Sequence, residues 1–209
     1  NNATITLNGN STNNTGLNLL AISITATNGT VNLYGNSTAD MGVNISNTNS
    51  IAQTNATINI AATSSTNTAL NLTGNNTFSA IDSTLNITGT STSGKGIYMA
   101  GTSNVTATNS TVSLKGTSNN STGIDHVGTI NANIASNANF TATGISNSGF
   151  GYFFDVGIYV LNNNTNYTGS LNVIGNSTSN FGVNIDGSGN AFTIEKGSAN
   201  ITGNNNGTT

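Results

Sequence analysis

Cysteine, proline, tryptophan and arginine are all missing from this chain of 209 residues. Without thiols, neither a disulfide nor a cysteine metal site can brace the fold. Charge is nearly missing as well: three lysines stand against six acids, a net charge of −3. So weak a field cannot draw a polyanion, which excludes nucleic acid as a partner. No apolar run reaches the eighteen residues of a membrane helix, which argues against membrane insertion. No charged amino-terminal region leads into an apolar core, so no export signal is read here. The chain opens directly on a strand pattern, Ala3-Thr4-Ile5-Thr6-Leu7, and reads as a piece cut from something longer.

Hydrophobic residues make up only 34% of the chain, and Asn, Thr, Ser and Gly dominate the rest. Composition of this kind alone points to disorder. The placement of the apolar residues reverses that reading, because the chain repeats itself. Val31-Asn32-Leu33-Tyr34-Gly35-Asn36-Ser37-Thr38, followed by Gly42-Val43-Asn44-Ile45, returns as Leu171-Asn172-Val173-Ile174-Gly175-Asn176-Ser177-Thr178, followed by Gly182-Val183-Asn184-Ile185. The same frame recurs at Ile5, Val31, Ile58, Leu85, Val112, Phe140, Leu171 and Ala199, in steps of 26, 27, 27, 27, 28, 31 and 28 residues.

Within each unit apolar and polar residues alternate, the period of a β-strand. Val31 and Leu33 share one face, as do Val43 and Ile45. A third, weaker strand follows at Ile22–Ile24, Ile51, Phe78 with Ile81, Val105, Ile130 and Phe192–Ile194. No segment sustains a helical apolar stripe. Three short strands in about 27 residues describe one coil of a three-sided β-solenoid. The fold class is therefore all-β, a single-domain parallel β-helix of about seven coils over residues 1–209, because stacked coils bury what one coil cannot. Gly16, Gly42, Gly96, Gly123, Gly157 and Gly182 each precede the second strand, and a positive φ at that corner is expected.

The unit Leu85-Asn86-Ile87-Thr88-Gly89-Thr90-Ser91-Thr92, with Gly96-Ile97 after it, resembles repeats of bacterial two-partner secretion exoproteins, the filamentous-haemagglutinin-like and high-molecular-weight adhesins. The likeness runs through the whole chain and is one of texture and period. It implies a right-handed parallel β-helix and export through an outer-membrane transporter. It also implies a secreted or cell-surface adhesin of the virulence-associated kind, with a glycan or protein receptor on the target cell. These coils are longer than the roughly 20-residue repeats common in that family, and no amino-terminal secretion domain is included.

Three features are candidates for chemistry. Asn-X-Ser/Thr triplets are dense, and Asn10, Asn36 and Asn176, each in a Gly-Asn-Ser-Thr turn expected to be exposed, are the glycosylation candidates. The competing reading makes these residues turn and ladder formers. The sixth unit is also irregular. Eighteen positions separate Phe140 from Ile158, where other units have twelve between first and second strands, which places a loop insertion at 145–156. That segment carries four of the twelve aromatics, and Phe150, Tyr152, Phe153, Phe154 and Asp155 are the ligand-binding candidates. The alternative is that these rings fold inward and fill the coil.

Catalysis has little support. His126, the single histidine, neighbours Asp125, but successive strand residues face opposite ways. It reads best as an occupant of the inward slot held by Ile45 and Leu72 elsewhere. Asp125, Asp155 and Asp186 fall on consecutive coils and could approach as paired carboxylates. Asp40, Asp82, Glu195, Lys95, Lys115 and Lys196 read as isolated solubilising charges. No catalytic residue, metal site or cofactor is assigned. The expected function is a non-enzymatic structural and adhesive segment. The alternatives are a carbohydrate-active β-helix enzyme, or a passive stalk that projects a distal tip.

Overall fold

The computed structural model describes residues 2–135, 137–155, 158–161, 168–186 and 190–207. Every regular element among them is a β-strand, and every strand pair is parallel. The first face of the solenoid has eight strands: Thr4–Ser11, Thr30–Ser37, Thr57–Ser64, Thr84–Ser91, Thr111–Ser118, Asn139–Ser146, Ser170–Ser177 and Ser198–Asn205. They mark the starts of seven coils and the first strand of an eighth. At the usual inter-strand spacing the stack is about 35 Å long.

The second face runs through Leu17–Leu20, Val43–Ser46, Leu70–Leu72, Tyr152–Asp155 and Val183–Asp186. The third runs through Ser23–Thr27, Asn49–Thr54, Asn75–Ile81, Ile158–Leu161 and Ala191–Ile194. In coils four and five a single long strand, Ile97–Thr108 or Ile124–Ile134, serves both faces and turns the corner without a break. Register holds from coil to coil, so each position of the repeat becomes a column. Val31, Ile58, Leu85, Val112, Phe140 and Leu171 stack in one such column, all buried.

Side chains facing outward form their own ladders. Asn59 Nδ2 donates to Asn32 Oδ1 at 2.9 Å, and Asn86 Nδ2 to Asn59 Oδ1 at 3.0 Å. On the second face Asn44 donates to Asn18 at 2.8 Å and Asn71 to Asn44 at 2.7 Å. An amide carries both donor and acceptor, so identical amides one strand apart satisfy one another, which a carboxylate column could not do.

The corners differ from the sequence expectation. Gly16, Gly42, Gly96, Gly123 and Gly182 do not take positive φ, and Gly157 lies outside the described residues. Crowding favours glycine there instead: a Cβ on Gly42 would stand 2.4 Å from the Thr63 carbonyl oxygen, and one on the facing Gly35 only 2.1 Å from the Gly42 carbonyl oxygen. Coil three alone carries alanine at both facing positions, Ala62 and Ala69. Left-handed backbone occurs at the other two corners. Ala21, Asn47, Gly74 and Gly101 form one column with φ of 51, 71, 83 and 92°, and Asn28, Asn55, Asp82 and Asn109 another with φ of 48 to 50°. Asn and Asp are the residues that tolerate this region best after glycine.

A buried serine pins the first corner of every complete coil after the first. Ser37 Oγ donates to the Asn14 carbonyl at 2.7 Å and accepts from the Asp40 N–H at 3.0 Å. Ser64, Ser91, Ser118, Ser146 and Ser177 repeat this arrangement, each reaching a turn carbonyl of the preceding coil. The serine inside the Asn-Ser-Thr triplets thus has an internal task. Replacing Ser91 by Ala leaves the Asn67 carbonyl and the Gly94 N–H without it, and is expected to lower stability by about 1–3 kcal/mol. Ser93→Ala, two residues on in the exposed turn and melted in parallel, should show a smaller loss.

Candidate functional site

The aromatic segment is not an inserted loop. Tyr152 pairs in register with Ile124 and Val183, so Tyr152–Asp155 is the sixth coil's second-face strand, and Phe140 to Tyr152 is the ordinary twelve positions. Ile158–Leu161 belongs to the third face, opposite Thr129–Ala132. The coil's additional residues fall between Phe154 and Ile158 and between Leu161 and Ser170. Sequence spacing misplaced them because Ile158 offered a more conventional strand start than Tyr152.

Strand alternation divides the binding candidates. Tyr152 and Phe154 point inward and are fully buried, which removes them from any surface site. Their rings stack at 4.6 Å between centroids, and Phe154 meets Phe192 edge-on at 5.0 Å. His126 sits in the same interior, 5.8 Å from the Phe154 ring and 6.5 Å from Tyr152. It occupies the column of Ile45, Leu72, Met99 and Phe154, as the repeat predicts. Burial lowers its pKa from 6.5 to about 4, opposed in part by a hydrogen bond with the Gly128 backbone.

Phe150, Phe153 and Asp155 remain outside, each half-buried. Phe150 stacks on Phe153 at 4.9 Å and lies nearly parallel to Phe181 of the next coil at 6.3 Å. Phe181 is 63% exposed. In register, Phe150 shares a column with Lys95 and Phe181, and Phe153 shares one with Tyr98, Asp125 and Asn184. The outcome is an aromatic strip along the second face from coil four to coil seven. Earlier coils place Asn18, Asn44 and Asn71 in the Phe153 column. Sequence reasoning missed Tyr98, Phe181 and Lys95; the repeat alignment at Gly96, Gly151 and Gly182 would have found them once Tyr152 was put in its correct slot.

Among the acids, Asp155 and Asp186 are register partners on adjacent coils, whereas Asp125 lies opposite Phe153. Asp125 is buried although it faces outward, and its Oδ2 forms an ion pair with Lys95 Nζ. Lys95 is therefore not an isolated solubilising charge. Its ammonium also rests 4.4 Å from the centre of the Tyr98 ring, within cation–π range. Burial raises the Asp125 carboxyl, the hydrogen bond and charge of Lys95 lower it, and the charge of Asp155 raises it further. Asp40 and Asp82 also have partners: Asp40 accepts from Thr15 at 2.8 Å and from Asn67 at 3.1 Å, and Asp82 from Asn109 at 2.6 Å. Among the described residues no three acids or histidines gather as a metal site.

Asn10, Asn36 and Asn176 lie in strands, one residue before the corner serine, and not in turns. Asn10 and Asn36 are exposed and Asn176 is half-buried. Asn36 Oδ1 accepts from Thr63 Oγ1 at 2.6 Å, and Asn176 Oδ1 from Asn204 Nδ2 at 2.8 Å.

The fold defines a parallel β-solenoid repeat protein whose second face carries an aromatic, charge-bearing strip on coils four to seven. No family model, curated protein or solved structure matches the chain.

Two outcomes follow from the interior. Tyr152→Ala and Phe154→Ala are each expected to cost about 3–5 kcal/mol by thermal or chemical melting. For His126 the sign is set by its lowered pKa. Between pH 6.5 and 4 the unfolded chain takes up the proton and the folded chain does not, so stability falls as pH falls. The loss should approach about 3 kcal/mol by pH 4. Asp125, raised by burial, works in the opposite sense. The measurement is therefore the wild type minus His126→Met, a variant that copies Met99 one coil below and should lose only the histidine's share of the pH dependence.

Proposed function

We propose that this chain is a structural and adhesive segment of a secreted bacterial surface exoprotein, and that the aromatic strip holds its contact surface. The observation that carries the reading is the concentration of Tyr98, Phe150, Phe153 and Phe181 on one face of coils four to seven. One exposed ring, Phe181, and three half-buried rings gathered on one face make the kind of apolar patch that marks a binding surface. Aromatic side chains give large contact area at low entropic cost, whether the partner is a glycan or a protein receptor on another cell. Ladder-satisfied amides along the remaining length suit a projecting rod.

The repeat texture shared with two-partner secretion adhesins supports the same reading, together with passage through an outer-membrane transporter. Exposed Asn10 and Asn36 are the sites this reading offers to a glycosylating enzyme. The enzymatic alternative draws less support. Asp125 is buried and committed to Lys95, and an open groove of about 510 Å³ lies away from it, along Asn28, Asn55 and Asp82.

Attachment of protein-coated beads to target cells and to a glycan array tests the proposal. Phe150→Ala with Phe181→Ala is expected to reduce attachment at least about tenfold while the fold is retained, with a stability loss of about 1–2 kcal/mol because Phe150 is half-buried. Unchanged attachment by a fully folded double variant would assign adhesion to another surface and leave this segment a passive stalk.

A further inference from the structure

Lys95 and Asp125 stand out in a chain with three cationic and six acidic side chains. They lie on consecutive coils, Lys95 just before the strand Ile97–Thr108 and Asp125 within Ile124–Ile134. The Asp125 side chain is 6% exposed and that of Lys95 is 37% exposed. Asp125 is flanked in its column by Tyr98 below and Phe153 above, and Phe153 is itself backed by Phe150. Its Oδ2 contacts Lys95 Nζ, while Oδ1 is buried with no hydrogen-bond partner.

As an ion pair this arrangement is poorly served. Removing a carboxylate from water is compensated only when its remaining lone pairs find donors, and Oδ1 has none. An amide between the two side chains would eliminate both charges and retain the contact. We propose that Lys95 and Asp125 condense into an intramolecular isopeptide bond that staples coil four to coil five.

The chemistry balances without any outside reagent. Within the contact the Lys95 ammonium passes one proton to Asp125 Oδ2, and the neutral amine so formed attacks Cγ of the protonated carboxyl to make an Nζ–Cγ bond. Asp155, on the same outward face one coil further along, takes a proton from the attacking nitrogen. It returns the proton to the departing hydroxyl as the Cγ–O bond breaks. One ammonium and one carboxylate become one amide and one water, with no oxidation or reduction. Burial favours the protonated acid that attack requires, and the charge of Asp155 acts on Asp125 in the same direction. Fixed contact in the folded coil replaces a bimolecular encounter, so folding itself supplies the effective concentration.

Intact mass spectrometry of the purified, folded chain decides the question. The expected mass is one water below that of the sequence, and a chymotryptic digest should yield a branched peptide joining Lys95 to Asp125. Chain kept in denaturant from synthesis onward should retain the water and lose it on refolding. Lys95→Arg and Asp125→Ala should both restore the full mass. Lys95→Met, which keeps the stem without the amine, replaces arginine if that variant does not fold. Asp155→Asn should slow the loss at least about tenfold, a barrier rise of roughly 1.4 kcal/mol, and an unchanged rate would overturn the role given to Asp155. A wild type of full mass after prolonged folding would overturn the bond. So would a water loss that persists in Lys95→Arg, which marks a succinimide.

Discussion

Coil-on-coil register governs this molecule. Each strand hydrogen-bonds the same strand of the next coil, so a residue's nearest neighbours are its own counterparts one repeat away. Whatever stands at a position must tolerate a copy of itself at strand spacing. Aliphatic columns do so by packing, and amides by alternating donor and acceptor. Like charges do not: two of them at about 4–5 Å repel by about 1 kcal/mol even in water. The scarcity of charge is a consequence of the architecture, and the Asp155–Asp186 pair is its exception.

The same constraint made the fold legible. A period near 27 residues and alternation inside each unit were enough to place all three strands of most coils, and to put His126 in an apolar column. Corner chemistry was less visible. Glycine before the second strand looked like a device for positive φ, whereas in every complete coil but the third close backbone approach leaves no room for a Cβ there. The Asn-Ser-Thr frame read as exposed turns, either glycan acceptors or turn and ladder formers. Its serine proved to be an internal clamp, a role that depends on a carbonyl about 24 residues earlier in the chain and so leaves no local mark.

The candidate site was half legible for a related reason. Aromatic residues at 150–154 were conspicuous, but their sorting into core and surface depended on a one-slot assignment. With Tyr152 as the strand start, Tyr152 and Phe154 go inward while Phe153 goes outward. Ile158 as the start makes the whole cluster a loop. The partners that complete the surface, Tyr98 and Phe181, sit in other coils and become neighbours only through the register.

The serine column has a mechanical meaning. Its hydrogen bonds run from each coil to the one before, along the rod, as do the ladder bonds of the three faces. Tension applied between the two ends of the rod loads these bonds along their own length and tends to peel an end coil before an inner one yields. Such a rod gives way in steps of one repeat, and each released coil adds slack of about 27 residues of extended chain, roughly 90 Å. A segment built this way lengthens under pull while the coils that remain stacked keep their shape.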